Sequence, residues 1–104
     1  MPDYLLSSQA EKDLTEIILY TSEKWGEEQV YKYVDELEEC FSDIANNRVV
    51  TREIEGVSGV YSLLCNEHYI FYMKCDVTQV LGIIHTSRDV MRHLKDRLSG
   101  EAGS

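Results

Sequence analysis

Histidine and tyrosine side chains that could take part in proton transfer lie in the second half of the chain. His68 begins the apolar run HYIFYM, and His85 ends the following apolar run. The histidine ring titrates close to neutral pH, so either residue has the chemistry of a general base. We interpret His68 as a structural residue that forms a hydrogen bond at the start of a buried strand. His85 is the stronger candidate for a functional contact, with Tyr61 as a hydrogen-bond donor.

Cleavage of a phosphodiester would need cations as well as a base, because negative charge grows on the phosphate in the transition state. Between Gly56 and Thr86 the sequence has a single cation, Lys74, beside the acids Glu67 and Asp76. A phosphate would meet little positive potential on such a segment. The sequence therefore favours binding over catalysis, and we assign no catalytic residue and no cofactor.

The cysteines and histidines are not spaced like the ligands of a metal site. There are three of each, and no C-x-x-C pair occurs among them. A structural zinc site normally shows ligands paired at short spacing. We therefore predict no metal, and we expect Cys40, Cys65 and Cys75 to be reduced thiols, as is usual in the cytosol.

The net charge of −9 is unevenly distributed along the chain. The first 47 residues carry twelve acidic and three basic side chains, whereas acids and bases cancel in the remainder. Because phosphate contacts need cations along a face, this pattern argues against general nucleic-acid binding. The C-terminal segment concentrates positive charge, which either solubilises a helix or attracts an acidic partner. Its basic residues are Arg88, Arg92, Lys95 and Arg97.

A chain of 104 residues is long enough for one domain and too short for two. We assign residues 1–98 to this domain and expect a flexible tail at 99–104. No apolar run approaches the roughly 20 residues that span a bilayer, and the first residues lack the regions of a signal peptide. A cytoplasmic protein without a membrane partner is expected.

The first half of the chain predicts a short strand followed by a helical hairpin. Tyr4–Leu6 is the apolar run of the strand, and Ser8 with Glu11 fits a capping box at a helix start. Gly26 is placed to end this first helix. The second helix has an apolar stripe at helical spacing and an acidic outer face. The stripe consists of Val30, Tyr33, Val34, Leu37, Phe41, Ile44 and Ala45.

The second half predicts three antiparallel strands and a closing helix. The strand-like runs are Val60–Cys65, His68–Cys75 and Val77–His85. The middle run is apolar on both alternating faces, which is typical of a central strand. Helical spacing of apolar residues returns after Ser87. The predicted class is α+β, with a small antiparallel sheet, a helical hairpin on one face and a short C-terminal helix.

Several motifs, in this order along the chain, resemble the ParE branch of the RelE/ParE toxin superfamily. They are YTSEKWG with a glutamine three residues later, Y-V-x-x-L-x-x-x-F, HYIFYMK and GIIHTSRDVMRHL. The resemblance extends from about Tyr4 to Leu98. The matching residues are Trp25, Gly26, Gln29, His68, Ile70, Phe71, Tyr72, His85, Asp89, Val90 and His93.

This resemblance implies a type II toxin that arrests growth by inhibiting DNA gyrase. A cognate antitoxin would neutralise it within a toxin–antitoxin complex. The RelE branch instead cleaves ribosome-bound mRNA, which is the alternative function. A third interpretation is a degenerate member that binds an antitoxin without being toxic. It is supported by Tyr61, where the family commonly has an arginine, and by the unusual charge of −9.

We expect two binding surfaces, and we favour an inhibitory binding protein over an enzyme. The expected gyrase contacts are Tyr61, His85, Arg88, Arg92, His93 and Lys95. The antitoxin should lay an amphipathic or extended segment across the helical hairpin and the sheet, with apolar anchors in the groove between them. Its expected contacts are Leu14, Ile18, Trp25, Tyr33 and Leu37. Within this set, Trp25 and Tyr33 are interpreted mainly as core of the hairpin.

Overall fold

The computed structural model describes residues 4–88 and Arg92. Two helices, α1 and α2, pack on one face of a five-stranded sheet, which confirms the predicted α+β class. The predicted C-terminal helix and the tail at 99–104 fall outside the described residues, apart from Arg92. The elements are β1 Tyr4–Leu6, α1 Ser8–Trp25, α2 Glu27–Ala45, β2 Arg52–Glu53, β3 Val60–Cys65, β4 His68–Met73 and β5 Thr78–His85.

The strand order is β1-β5-β4-β3-β2, so β4 is the central strand, as its two apolar faces predicted. The strands β2 to β5 pair in antiparallel fashion, but β1 runs parallel to β5. The sheet is therefore mixed at one edge. The direction of β1 relative to β5 depends on how the chain passes through the two helices back to the sheet. The apolar run Tyr4–Leu6 does not indicate this direction. The two exposed polar residues of β2 likewise gave no strand pattern.

The link between β3 and β4 is the tight hairpin that the sequence predicted. Cys65 is paired with His68, so Asn66 and Glu67 alone form the loop. Asn66 has a φ of 54°, a left-handed conformation that asparagine tolerates and that two-residue hairpin loops require. This hairpin carries His68 to the end of the sheet where His85 also lies.

The start of α1 is tied directly to the sheet. The N-cap is Ser7, one residue before the predicted Ser8, and its Oγ accepts a hydrogen bond from the Ala10 N–H at 3.0 Å. The same hydroxyl donates to the Leu81 carbonyl oxygen at 3.1 Å. Because Ser7 also holds β5, tertiary contact decides which of the two adjacent serines caps the helix. Gly26 has a φ of 86° and separates the helices, as predicted.

The main core lies between α2 and the sheet. The apolar stripe predicted for α2 faces inward, and Leu37 at its centre has no exposed surface. Burial of such side chains contributes about 1.5–3 kcal/mol each. The fully or nearly buried members of this core are Ala10, Leu37, Phe41, Ile44, Cys65, Ile70, Tyr72, Val80 and Ile83. A smaller cluster of Val60, Phe71 and Ile84 covers the opposite face, with Ile54 and Val57 from the loop before β3 packed on it.

Cys40 and Cys65 form a disulfide that joins α2 to β3. This corrects the expectation of three reduced thiols, and of these Cys75 alone is free and exposed. Sequence separation of 25 residues gave no indication of the pair. The two residues meet because the α2 stripe packs over β3, so that one turn of helix lies above the end of that strand.

A buried carboxylate of α1 satisfies a main-chain group of β5. The pairing of β1 with β5 ends at Leu6 and Val80, so β1 does not reach the Ile83 amide. The Ile83 N–H donates to Asp13 Oδ2 at 2.9 Å, and Asp13 is only 6% exposed. An unsatisfied buried amide would cost about 1–3 kcal/mol. Asp13 therefore replaces the missing strand partner at this point.

We predict that Asp13→Ala lowers the free energy of unfolding by about 1–3 kcal/mol, because the Ile83 amide loses its acceptor. Asp13→Asn keeps an oxygen at the same place and should lose clearly less. Urea unfolding followed by circular dichroism measures both variants. Equal losses in the two variants would contradict the assignment of this hydrogen bond.

Candidate functional site

Four polar side chains meet at one end of the sheet, where β4 begins and β5 ends. His68 is paired with His85 across the two strands, and their rings make an edge contact with centroids 5.0 Å apart. Tyr33 reaches this point from α2, and Glu67 comes from the hairpin loop. The predicted candidates His68 and His85 are therefore neighbours.

His68 has the structural role that the sequence predicted. Its Nδ1 atom makes a short hydrogen bond with the Tyr33 hydroxyl. Burial, then the negative charges of Glu67 and Glu36, raise the pKa of Tyr33 to about 12. Burial, with the adjacent His85 second, lowers the pKa of His68 to about 4. Tyr33 therefore keeps its proton, and its O–H donates a hydrogen bond to the neutral His68 ring, which joins β4 to α2. His68 is unsuited to carry a proton near neutral pH.

His85 is the accessible histidine of the pair, with 37% of its side chain exposed. Its Nδ1 accepts a hydrogen bond from the Ser87 N–H at 2.9 Å, and its Nε2 lies 3.4 Å from Glu67 Oε2. The charged group that this ring contacts is therefore a carboxylate, which would repel a phosphate. This arrangement suits a hydrogen-bonding contact and does not favour a phosphodiester.

Tyr61 lies at the opposite end of the sheet from His85. It lies four positions before Cys65 in β3, which corresponds to about 13 Å along the strand, and Cys65 is paired with His68. Its ring stacks on Tyr72 with centroids 5.8 Å apart, and the Lys74 Nζ lies 4.9 Å from its centre. Lys74 thus makes a cation–π contact with the Tyr61 ring. The structure does not bring Tyr61 and His85 into one site.

The remaining predicted gyrase contacts are only partly described. Arg88 is exposed and close to His85, because its N–H donates to the His85 carbonyl oxygen at 3.1 Å. Arg92 is exposed as well. His93 and Lys95 lie outside the described residues. Of the predicted contacts, His85, Arg88 and Arg92 are thus described and accessible, and Tyr61 is separate from His85 and Arg88.

The predicted antitoxin contacts divide by exposure. Leu14, Ile18 and Tyr33 are half-buried, whereas Trp25 is 69% exposed, so the interpretation of Trp25 as hairpin core was wrong. Leu37 lies on the side of α2 that faces the sheet and is fully buried, so it cannot contact a partner in the folded chain. It was included because it shares a stripe with Tyr33, but that stripe faces the sheet.

Sequence reasoning missed three exposed apolar side chains on the hairpin. Leu19, Tyr20 and Tyr31 are 60%, 58% and 70% exposed. They stand outside the apolar stripes, among charged residues, and this position was the signal that could have found them. Trp25 is the fourth large exposed apolar side chain of the two helices. Tyr31 also lines a groove between the helices, together with Ile18, Ser22, Glu27, Val30 and Val34.

Among the described residues, no group of three histidine, cysteine, aspartate or glutamate side chains is placed to hold a metal ion. Within the same part of the chain, neither helix is long and apolar enough to cross a membrane.

Residues 4–90 match the sequence profile of the ParE toxin of the type II toxin–antitoxin system parDE. The match covers most of the chain and both helices of the hairpin. The chain belongs to the ParE toxin family.

Individual ParE toxins are similar along nearly their whole length. The toxin ParE of Escherichia coli is 32% identical over 103 residues, which cover 96% of this chain and 100% of that protein. The toxin ParE1 of Caulobacter vibrioides is 28% identical over 95 residues, covering 90% of this chain and 99% of that protein. The resemblance inferred from the motifs is therefore confirmed.

A chain from the chromosomal ParDE toxin–antitoxin system of P. aeruginosa has the same fold. It superposes with a TM-score of 0.66 and 24% sequence identity, covering 77% of this chain and 90% of its own. The ParE fold thus accounts for the arrangement of the hairpin on the mixed sheet.

We predict that the ParE-family chain becomes less stable as the pH falls from about 7.5 to about 5.5, partly through His68. The pKa of His68 is about 4 in the folded chain, below the roughly 6.5 of an unfolded histidine. The unfolded state therefore binds the proton first, so this contribution is complete above about pH 6.5 and is lost as the pH falls. We expect about 1 kcal/mol from His68 over this interval.

Urea unfolding of the native chain and of His68→Gln at both pH values measures this contribution. Glutamine can still accept the Tyr33 hydrogen bond, but it does not titrate in this range. Lys12→Gln is the control, because it changes an exposed side chain of α1 that does not titrate in this range and leaves both histidines in place. The same pH dependence in His68→Gln as in the native chain would refute the assignment.

Proposed function

We propose that this ParE-family toxin acts in the cytoplasm by docking on DNA gyrase and inhibiting it, and that a cognate antitoxin neutralises it. The observation that carries the proposal is that Tyr61 and His85 lie at opposite ends of the sheet, so the described residues do not bring the expected base and donor together in one site. His85 faces Glu67, and Lys74 lies over the Tyr61 ring at the far end of the sheet. Without cations beside a base, a phosphorane would be poorly stabilised.

The gyrase-binding surface in this proposal is the end of β5 and the turn after it. His85 and Arg88 are accessible there and close together, and Arg92 follows in the chain. These side chains can form charge-assisted hydrogen bonds with acidic groups of a partner. Tyr61 lies too far from them to belong to the same small contact, so we leave it out of the surface.

The antitoxin-binding surface in this proposal is the outer side of the helical hairpin. Trp25 and Tyr31 are the most exposed aromatic side chains of the described residues, and the groove with Ile18 and Val30 lies beside Tyr31. An amphipathic helix can place its apolar anchors in such a groove. Leu37 is replaced by Tyr31 in this set because it is buried.

We expect the purified protein to inhibit supercoiling by DNA gyrase and to leave transcripts intact during translation in vitro. Arg88→Glu should weaken the inhibition about tenfold, because it puts a like charge against an acidic contact. Arg52→Glu, the same change on an exposed residue of β2, is the control and should have little effect.

Each outcome of these two assays has one interpretation. Cut transcripts with unaffected gyrase would replace the proposal with the RelE-type nuclease. If gyrase is not inhibited and transcripts are not cut, the result would support a family member that has lost its toxicity. Equal effects of Arg88→Glu and Arg52→Glu would show that the end of β5 is not the gyrase-binding surface.

We also expect the antitoxin to bind this chain less tightly at high salt concentration than at low salt concentration. The outer face of α2 is acidic, with Glu27, Glu28 and Asp35 exposed, so a complementary segment should carry lysine or arginine. Raising the salt from about 50 mM to about 500 mM should weaken the complex about tenfold or more, since exposed charges become screened. Titration calorimetry at the two concentrations measures this, and unchanged affinity would contradict the electrostatic part of the proposal.

A further inference from the structure

One half of β3 has no strand partner on its outer side among the described residues. The strand β2 pairs only with Tyr61 and Ser62, through Glu53 and Arg52. No described strand continues this pairing along Leu63–Cys65. Unpaired strand edges bind further strands readily, and natural proteins usually protect them.

The main chain of Leu64 points to this open edge. In an antiparallel pair, alternate residues direct their N–H and C=O groups to opposite sides of the strand. The Val60 carbonyl oxygen accepts a hydrogen bond from the Ile54 N–H at 2.8 Å, on the outer side of β3. Ser62 and Leu64 follow at intervals of two and share this direction. The Leu64 side chain is 53% exposed.

A cleft lined by carboxylates runs beside the same edge. Glu36, Glu39 and Asp43 of α2 line it together with Leu64 and its neighbours in β3 and the loop. These acids are three and four residues apart, so they lie along one side of the helix.

Two of the three carboxylates already have contacts. The Asn66 Nδ2 donates to Glu36 Oε2 at 2.6 Å. Arg48 lies 3.6 Å from Asp43, with 64% of its own side chain exposed. The cleft nevertheless carries a net negative charge, and Leu64 and Cys65 of the open strand edge are among its lining residues.

We propose that an extended segment of a partner protein adds to the sheet along Leu63–Cys65. Its residues that face α2 alternate with residues that face away, because side chains alternate along a strand. The first kind should be lysine or arginine, paired with Glu36 and Glu39, and the residue beside Leu64 should be aliphatic. The inference rests on the proposed function for the source of this segment, which is the antitoxin.

The charge of the cleft selects this occupant over a second copy of the chain. Two copies that joined through β3 would bring the Glu36, Glu39 and Asp43 rows together, and each chain carries a net charge of −9. Like charges placed opposite each other across an interface disfavour association. A basic segment gains from the same field, while its main chain satisfies Leu64.

Amide hydrogen exchange of Leu64, followed by NMR in the free chain and in the complex with the product of the adjacent reading frame, tests the inference. We expect exchange at Leu64 to slow about 100-fold or more in the complex, because its N–H becomes hydrogen-bonded to the partner. Glu39→Lys should weaken the complex about tenfold. Glu55→Lys makes the same change in the exposed loop before β3 and should leave the affinity nearly unchanged.

The outcomes separate this inference from the proposed function. A complex in which the Leu64 amide exchanges as fast as in the free chain would overturn the inference and leave the antitoxin partner in place. Failure to form any complex would overturn both. Protection of Leu64 that appears in the free chain at high concentration would show that a second copy occupies the edge.

Discussion

The packing of α2 across the sheet is the contact on which the other features depend. Leu37, Phe41 and Ile44 are buried there against the central strands. Because a helix with one apolar stripe has only one way to bury it, this contact fixes which side chains of α2 face the sheet. Tyr33 is thereby placed above His68, and Cys40 above Cys65.

The same contact places the acidic side of α2 where partners can reach it. Glu36, Glu39 and Asp43 stand beside the open edge of β3, and the exposed aromatic rings lie near the turn between the helices. The titratable pair of Tyr33 and His68 is engaged internally, since His68 is neutral and bound to Tyr33. Charged and apolar side chains of the hairpin are thus accessible, whereas His68 is unsuited to proton transfer near neutral pH.

The sequence predicted the elements of the ParE fold closely, because each has a local signature. A strand-like run indicated Val60–Cys65, the two apolar faces of the next run indicated the central place of β4, and helical spacing indicated both helices. The structural role of His68 followed from its position at the start of an apolar strand. Features without a local signature were missed. Examples are the two-residue β2 and the parallel direction of β1.

By itself, the sequence determined the class of fold, the family and the two-sided character of α2, since periodicity and motif order are properties of neighbouring residues. The tertiary structure alone decided that Leu37 is buried, that Trp25 is exposed, and that Cys40 reaches Cys65. It also decided that Tyr61 and His85 lie at opposite ends of the sheet. The burial of a side chain, and its contacts with residues distant in the sequence, depend on which elements pack together. The local sequence around each residue does not show that packing.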